Sequence, residues 1–199
     1  MTDFLLKTVH ADGAAWGGFQ WPLDEGAEVI APDWDPTPVC GGGLHGLLNG
    51  AGNGSLINWS TDAVWIVAEI PDGETVVDVD GKVKVRRCIV RHVGDKTSAP
   101  EFLAAHGHTE GVVAGTATAG NRGTATAGYA GTATAGNRGT ATAGDAGTAT
   151  AGDRGTIILA WWDYDLGRRR WVVGEVGIDG IVADTPYRVV DGALVEVES

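Results

Sequence analysis

"GTATAGNRGTATAGYAGTATAGNRGTATAGDAGTATAGDRGT", Gly115 to Thr156, decides the fold of half this chain. GTATAG begins at Gly115, Gly123, Gly131, Gly139 and Gly147, a strict period of eight, and a broken sixth copy, GTIILA, starts at Gly155. The two residues after each copy alternate: Asn121-Arg122, Tyr129-Ala130, Asn137-Arg138, Asp145-Ala146, Asp153-Arg154. Arginine therefore returns every sixteen residues, and the structural unit is sixteen, two eights in different surroundings. A flexible Gly/Ala linker does not hold threonine in phase or alternate its turn residues. A flattened, two-sided β-solenoid with 16-residue coils does both, each coil carrying two Thr-Ala-Thr strands joined by glycine-containing turns. Strand alternation places Thr116, Thr118, Thr124 and Thr126 outward and alanines such as Ala117 inward. Alanine lets two sheets approach closely, and β-branched threonine favours extended backbone. Coils stacked about 4.8 Å apart align Arg122, Arg138 and Arg154 in one edge ladder, with Asn121, Asn137 and Asp153 beside it.

So short a solenoid needs covered ends. GTIILAWWDYD keeps the phase but brings Ile157, Ile158, Leu159, Trp161 and Trp162, large side chains expected to close the alanine core. After them come antiparallel strands, one pair flanking a turn near Asp165–Gly167 and another flanking Asp191-Gly192. Arg168, Arg169 and Arg170, beside Asp163 and Asp165, read as a solvated hairpin end. Upstream, residues 1–112 read as a mixed α+β domain. AVWIVAEI is a strand, and ETVVDVDGKVKVRRCIVRHV is a hairpin around Asp80-Gly81. A three-residue loop there sets Asp78 opposite Lys82 and Val77 opposite Val83. SAPEFLAAHG is a short helix with Ser98 as N-cap, Glu101 completing a capping box and Gly107 past its end. The chain is thus mainly β, in three parts: residues 1–112, a solenoid over 113–156, and an antiparallel β cap over 157–199.

The net charge of -12 is unevenly spread: -9 over residues 1–114, +1 over 115–155 and -4 over 156–199. Such a balance disfavours direct nucleic-acid binding through phosphates. No apolar run approaches the roughly 20 residues of a membrane helix, and the N-terminus lacks the pattern of a secretory signal. Two cysteines, Cys40 and Cys88, make neither a disulfide framework nor a zinc set. Cytoplasmic residence is the resulting expectation, and no cofactor is implied.

Chemistry-bearing residues are sparse. PVCGGGLHGLLNGAGNG, Pro38 to Gly54, reads as a turn-rich loop. In it Cys40 and His45 stand five apart, a spacing compatible with a nucleophile–base pair or two metal ligands, though nothing nearby completes either set. There is no Walker lysine and no strand–GxGxxG–helix frame. His106, His108 and Glu110 alternate in a way that can set three metal ligands on one strand face. Asp24, Glu25, Glu28, Asp33 and Asp35 form the acidic run best placed to recognise a basic partner.

Three resemblances add to this. The octapeptide resembles the repeats of bacterial ice-nucleation proteins, whose AG-Y-x-(S/T)-T-x-T units build a β-solenoid; Ala127–Gly136, AGYAGTATAG, carries the likeness. It implies the architecture, with Thr-x-Thr rows that can bind ice weakly but form too small a surface to nucleate it. GGFQWP, GAEVIAPDW, CGGGLHGLL, AVWIVAEI and GKVKVRR together resemble an uncharacterised domain family of phages and bacteria, sharing C-G-x-G-L-H-G and G-K-V-K elements. This implies a mobile-element setting. The Gly-x-Gly-Leu-His loop is similar to the G-x-G-(I/L)-Y-F segment of ADP-ribosyltransferase folds, without its Tyr-Phe.

The expectation that follows is a non-enzymatic, phage or mobile-element-type binding protein. It would inhibit a host defence or nucleic-acid-binding protein through its acidic surface. The alternatives are a self-assembling virion-associated part, joined copy to copy through Thr-x-Thr faces, and a nucleotide-acting enzyme around Cys40–His45.

Overall fold

A computed structural model describes residues 2–178 and 180–197. It is mainly β and forms two compact units, Met1–His108 and Thr109–Ser199.

The first unit is built on one antiparallel sheet. Its strands are β1 (Asp3–Val9), β2 (Glu28–Ile30), β3 (Leu44–Leu48), β4 (Val64–Ile70), β5 (Val77–Asp78), β6 (Val83–Val85) and β7 (Arg87–Gly94), in the order β2-β7-β4-β1-β3-β6-β5. β1 lies in the middle because DFLLKTV is apolar on both faces, as a doubly covered strand must be. Leu5, Ile66, Ala68, Val85, Cys88 and Val90 are fully buried in the core beside it. Helix α1 (Ser98–Ala105) buries Ala99, Pro100 and Leu103.

Three local expectations change. The loop after β5 has two residues, not three: Val79 N–H donates to the Lys82 carbonyl at 2.8 Å, and Val77 faces Lys84 while Asp78 faces Val83. Asp80 and Gly81 both take left-handed backbone, φ 47° and 81°, as a type I′ turn requires. The cap of α1 is Asp95 rather than Ser98, its Oδ1 accepting from the Thr97 and Ser98 amides at 2.9 Å each. Those bonds hold the Asp95 carboxyl below the usual carboxylate range. Finally, Leu44–Leu48 is not loop but strand, pairing with β1 on one side and β6 on the other.

The second unit is the solenoid with its cover. β8 (Thr116–Ala119), β10 (Thr132–Ala135) and β12 (Thr148–Ala151) stack in parallel on one side; β9 (Thr124–Ala127), β11 (Thr140–Ala143) and β13 (Thr156–Asp163) stack on the other. Every pairing steps sixteen residues in exact register, Ala117↔Ala133↔Ala149 and Ala125↔Ala141↔Ile157. The alanines are buried between the sheets, and the turns are closed by i to i+3 bonds such as Gly123 N–H to the Gly120 carbonyl at 3.0 Å. The third residue of each turn is left-handed although it is arginine or alanine: Arg122, Ala130, Arg138, Ala146 and Arg154 have φ between 51° and 60°.

β13 runs on into an antiparallel pair with β14 (Arg168–Glu175), and β15 (Tyr187–Val190) joins β12 through Ala149↔Tyr187 before turning into β16 (Ala193–Glu196). The cover differs in detail from expectation. Ile157 and Leu159 fill the core, but strand alternation turns Ile158 outward, and Trp162 is exposed. Val176 and Tyr187 supply the remaining closure. Arg168 and Arg169 are solvated. Arg170 instead pairs with the buried Asp163 at 3.1 Å and lies over the Trp161 ring at 5.8 Å.

Stacking, not the turn, dictates the glycine that ends each GTATAG. A Cβ on Gly136 would lie 2.6 Å from Asn121 Oδ1 and 2.8 Å from Asn121 N, atoms of the coil before it. On Gly120, in the first coil, it would meet nothing within 4 Å. Gly136→Ala should therefore cost on the order of 1–3 kcal/mol by overpacking. Gly120→Ala should stay within about 0.5 kcal/mol of the parent. Equal effects of the two substitutions on denaturant midpoints would refute this account of the stacking.

Candidate functional site

The outward threonines make two flat grids. On one sheet Thr116, Thr132 and Thr148 stack in one row and Thr118, Thr134 and Thr150 in the next. On the other, Thr124, Thr140 and Thr156 form a row, and Thr126 and Thr142 a second, where Ile158 takes the following place. Neighbours along a strand are two residues apart, about 6.6 Å, and rows repeat at about 4.8 Å. β-branching restricts each χ1, so hydroxyls and methyls are presented in a small set of orientations. Thr116, Thr118, Thr124 and Thr126, the four singled out in the sequence, are all exposed.

No charge interrupts these rows, because the arginines are confined to the turns. Asn121 Oδ1 accepts the Asn137 amide at 3.0 Å, and Asn137 Oδ1 accepts the Asp153 amide at 3.0 Å, the ladder expected from the sixteen-residue period. Arg122, Arg138 and Arg154 follow these residues with exposed side chains, and Arg154 meets Asp153 at 3.7 Å. The geometry suits water or a regular surface, not acid–base chemistry.

Elsewhere the proposed constellations do not assemble. Cys40 is exposed, and its Sγ accepts from Lys82 Nζ at 3.2 Å. His45 Nε2 accepts the Gly41 amide at 3.3 Å, so the ring nitrogen that a Cys–His pair needs is engaged by backbone. The glycine loop is clamped from below: Lys84, fully buried, donates Nζ to the carbonyls of Val39 at 2.9 Å and Gly41 at 2.8 Å. Sequence reasoning missed this lysine; its place between buried Val83 and Val85 was the available signal. Burial foremost, then Lys82, Lys7 and Lys84, hold the His45 imidazole below the ordinary histidine value.

His106 and His108 serve an aromatic cluster. The His106 ring stacks on Phe102 at 4.1 Å with Nδ1 against the Phe102 carbonyl, and His108 Nε2 meets the Thr2 carbonyl at 2.9 Å. Glu110 is exposed, and among the described residues no group of three His, Cys, Asp or Glu can hold a metal ion. The acidic run is divided among local tasks. Glu28 pairs with Arg87 at 3.1 Å, Glu25 lies 3.8 Å from His92, and Asp35 accepts the Thr37 amide, which lowers its pKa. Asp24 and Asp33 are exposed.

Comparison with known proteins finds relatives over about half of the chain. The chain is similar to ice nucleation protein InaU of Pantoea ananas, 37% identical over 103 residues, which cover 51% of this chain and 10% of that protein. An ice nucleation protein of Pseudomonas syringae is 35% identical over 102 residues, 51% of this chain and 9% of its own. One from Xanthomonas campestris pv. translucens is 31% identical over 102 residues, covering 6% of its length. The chain thus spans about a tenth or less of these curated relatives. No family model and no solved structure matches it.

The relatives are bacterial ice nucleation proteins, which overturns the expectation of a phage or mobile-element inhibitor of a host defence protein. The structure supplies a physical reason, since two of its five acids already face Arg87 and His92. The virion-part and nucleotide-enzyme alternatives fall with it, the latter also because Cys40 and His45 do not pair. Among the described residues no helix is long and apolar enough to cross a membrane, and cytoplasmic residence rests on the sequence alone.

The His45 contact has a pH signature. Burial first, then the nearby lysines, disfavour the imidazolium, and only neutral Nε2 can accept the Gly41 amide, so the folded chain binds this proton less tightly than the unfolded chain. Its contribution is complete above the unfolded value of about 6.5 and is lost as pH falls through that value toward the lowered folded one. An NMR titration should place His45 below 6.5, and His45→Gln should remove part of the acid destabilisation seen in urea melts between pH 7.5 and pH 5.5. A His45 titration at or above 6.5 would contradict the assignment.

Proposed function

We propose that the solenoid unit binds ice, ordering water on its threonine grids. The observation that carries this reading is the in-register, uncharged stacking of Thr116, Thr132, Thr148 and Thr118, Thr134, Thr150 across three coils. A hydroxyl–methyl lattice of about 6.6 by 4.8 Å has spacings of the order of the oxygen repeats in ice. The backbone beneath it is already rigid, so little conformational freedom is lost on contact with a regular surface. The likeness to proteins named for ice nucleation supports the same reading.

Scale separates binding from nucleation. An ice embryo grows only beyond a critical size, and the larger grid holds just six threonines. The short array is therefore read as a binder of existing ice.

The test is ice recrystallisation inhibition by the purified chain, with Thr132→Lys and Thr134→Lys placed together in the central strand of the larger grid. The doubly substituted chain should require at least about tenfold more protein for the same inhibition, ~1.4 kcal/mol of lost contact. Arg138→Ala, a turn change off the grid, should behave as the parent. Absence of inhibition by the parent, or equal inhibition by the lysine variant, would sink the reading.

A further inference from the structure

The first unit carries a cationic cleft inside a strongly acidic stretch of chain. Its volume is about 530 Å³, and its walls come from β1, the turn after it, β3, the Ser55–Asn58 segment and Lys82. The titratable side chains lining it are Lys7, His10, His45 and Lys82; no carboxylate lines it. That is a departure from chance, because residues 1–114 hold sixteen acids against seven lysines and arginines.

The charges are not neutralised from within. Lys7 is half-buried, and its side chain has no hydrogen bond or ion pair among the described residues. The charge that acts on it is another cation, Lys82, whose Nζ donates to the Cys40 thiol rather than to an acid. Burial first and then Lys82 make the Lys7 ammonium easier to deprotonate than a free lysine, and His45 feels the same field. Like charges gathered in a half-enclosed cleft repel one another unless something anionic sits between them.

The remaining walls say what else the occupant carries. Leu6, Val9, Leu47 and Ile57 line the floor, and at the rim stands Trp16, 97% exposed, an indole with almost no contact of its own. Ser55 and Asn58 add neutral polar groups. The size falls within the range of small-molecule clefts, about 300–1,000 Å³, and the mixture of apolar walls with a few convergent polar groups is that of a ligand site.

We propose that this cleft binds a small amphipathic organic anion, its carboxylate or phosphate held between Lys7 and Lys82 and its flat apolar body covered by Trp16. The site is separate from the threonine grids, so it stands or falls independently of the ice reading. Lys84 behind the cleft and His45 in its wall act as positioning residues, holding the Val39–Gly41 segment and with it the Cys40 thiol that orients Lys82.

Calorimetric titration of the full chain with phenyl phosphate, benzoate, inorganic phosphate and benzyl alcohol tests this. Phenyl phosphate or benzoate should saturate one site with Kd below about 1 mM, and neutral benzyl alcohol should not saturate. Lys7→Gln and Lys82→Gln should each weaken the organic anion at least about tenfold, whereas Lys96→Gln, outside the cleft, should leave it unchanged. Trp16→Ala should weaken the aromatic anions and spare inorganic phosphate. A second readout guards against misfolding: Lys7→Gln should raise the melting temperature of the free chain by relieving repulsion, and shrink the stabilisation that phenyl phosphate gives. The proposal is overturned if neither aromatic anion binds saturably, if benzyl alcohol binds as well as they do, or if the lysine variants bind like the parent.

Discussion

The solenoid rests on one steric constraint, the distance at which its coils meet. Backbone of one coil occupies the place where a side chain of the next would begin: a Cβ on Gly144 would lie 2.8 Å from the Gly128 carbonyl carbon and oxygen. Glycine at the end of GTATAG, wherever a coil lies before it, and alanine between the sheets are therefore requirements of the stack, not symptoms of low complexity. The same closeness aligns each coil with its neighbour. Parallel pairing advances by sixteen residues throughout, and a one-residue slip would carry every threonine inside and every alanine out. The price is paid at the turns, where arginine or alanine occupies left-handed backbone that disfavours any side chain by about 1–2 kcal/mol.

Periodicity made this unit legible. Phase marks the strands, alternation marks the faces, and the sixteen-residue return of arginine marks the turns that stack. Punctuation worked less well where two solutions lie one residue apart. Asp80-Gly81 marked a hairpin, but only the observed left-handed pair distinguishes a two-residue loop from a three-residue one. At α1 the capping-box pattern set the cap at Ser98, and the Asp95 carboxylate, three residues earlier, accepts two amides and takes it instead. Trp162 was misread because bulk alone suggested closure, whereas alternation from Ile157 already turned it outward.

The first unit hid more, and for a definite reason. Its functional geometry depends on pairs far apart in sequence. Leu44–Leu48 looked like loop because it is rich in glycine, yet Gly46 is demanded by the approach of β1: a Cβ there would lie 2.5 Å from the Leu6 carbonyl. Lys84, which drew no notice in the sequence, is a buried clamp on a segment over forty residues earlier. The charge sum, -9 over residues 1–114, concealed a local region of opposite sign. Composition averages over a surface, while binding samples only one part of it.

Segregation of charge also explains how one short chain can carry uncharged grids. A solenoid of Gly, Ala and Thr has no charge of its own, and all of the net negative charge resides outside the repeat, -9 before it and -4 after it. Within the repeat, ionic groups are admitted only at the turns, where the ladder of Asn121, Asn137 and Asp153 fixes the backbone and lets the following arginines point to solvent. A carboxylate or ammonium in a threonine row would hold its own hydration shell and break the spacing of the water above it. The two ends of the stack differ. At the start β8 and β9 are the outer strands of their sheets, and Gly111, Val112 and Ala114 bond by backbone to Thr126, Gly128 and Tyr129 around the turn after β9. At the finish, β14 and β15 pair antiparallel with β13 and β12, a direction of pairing that stops further parallel coils from being added. The antiparallel cover thus fixes where each grid finishes, at Thr148 and Thr150 on one sheet and at Thr156 on the other.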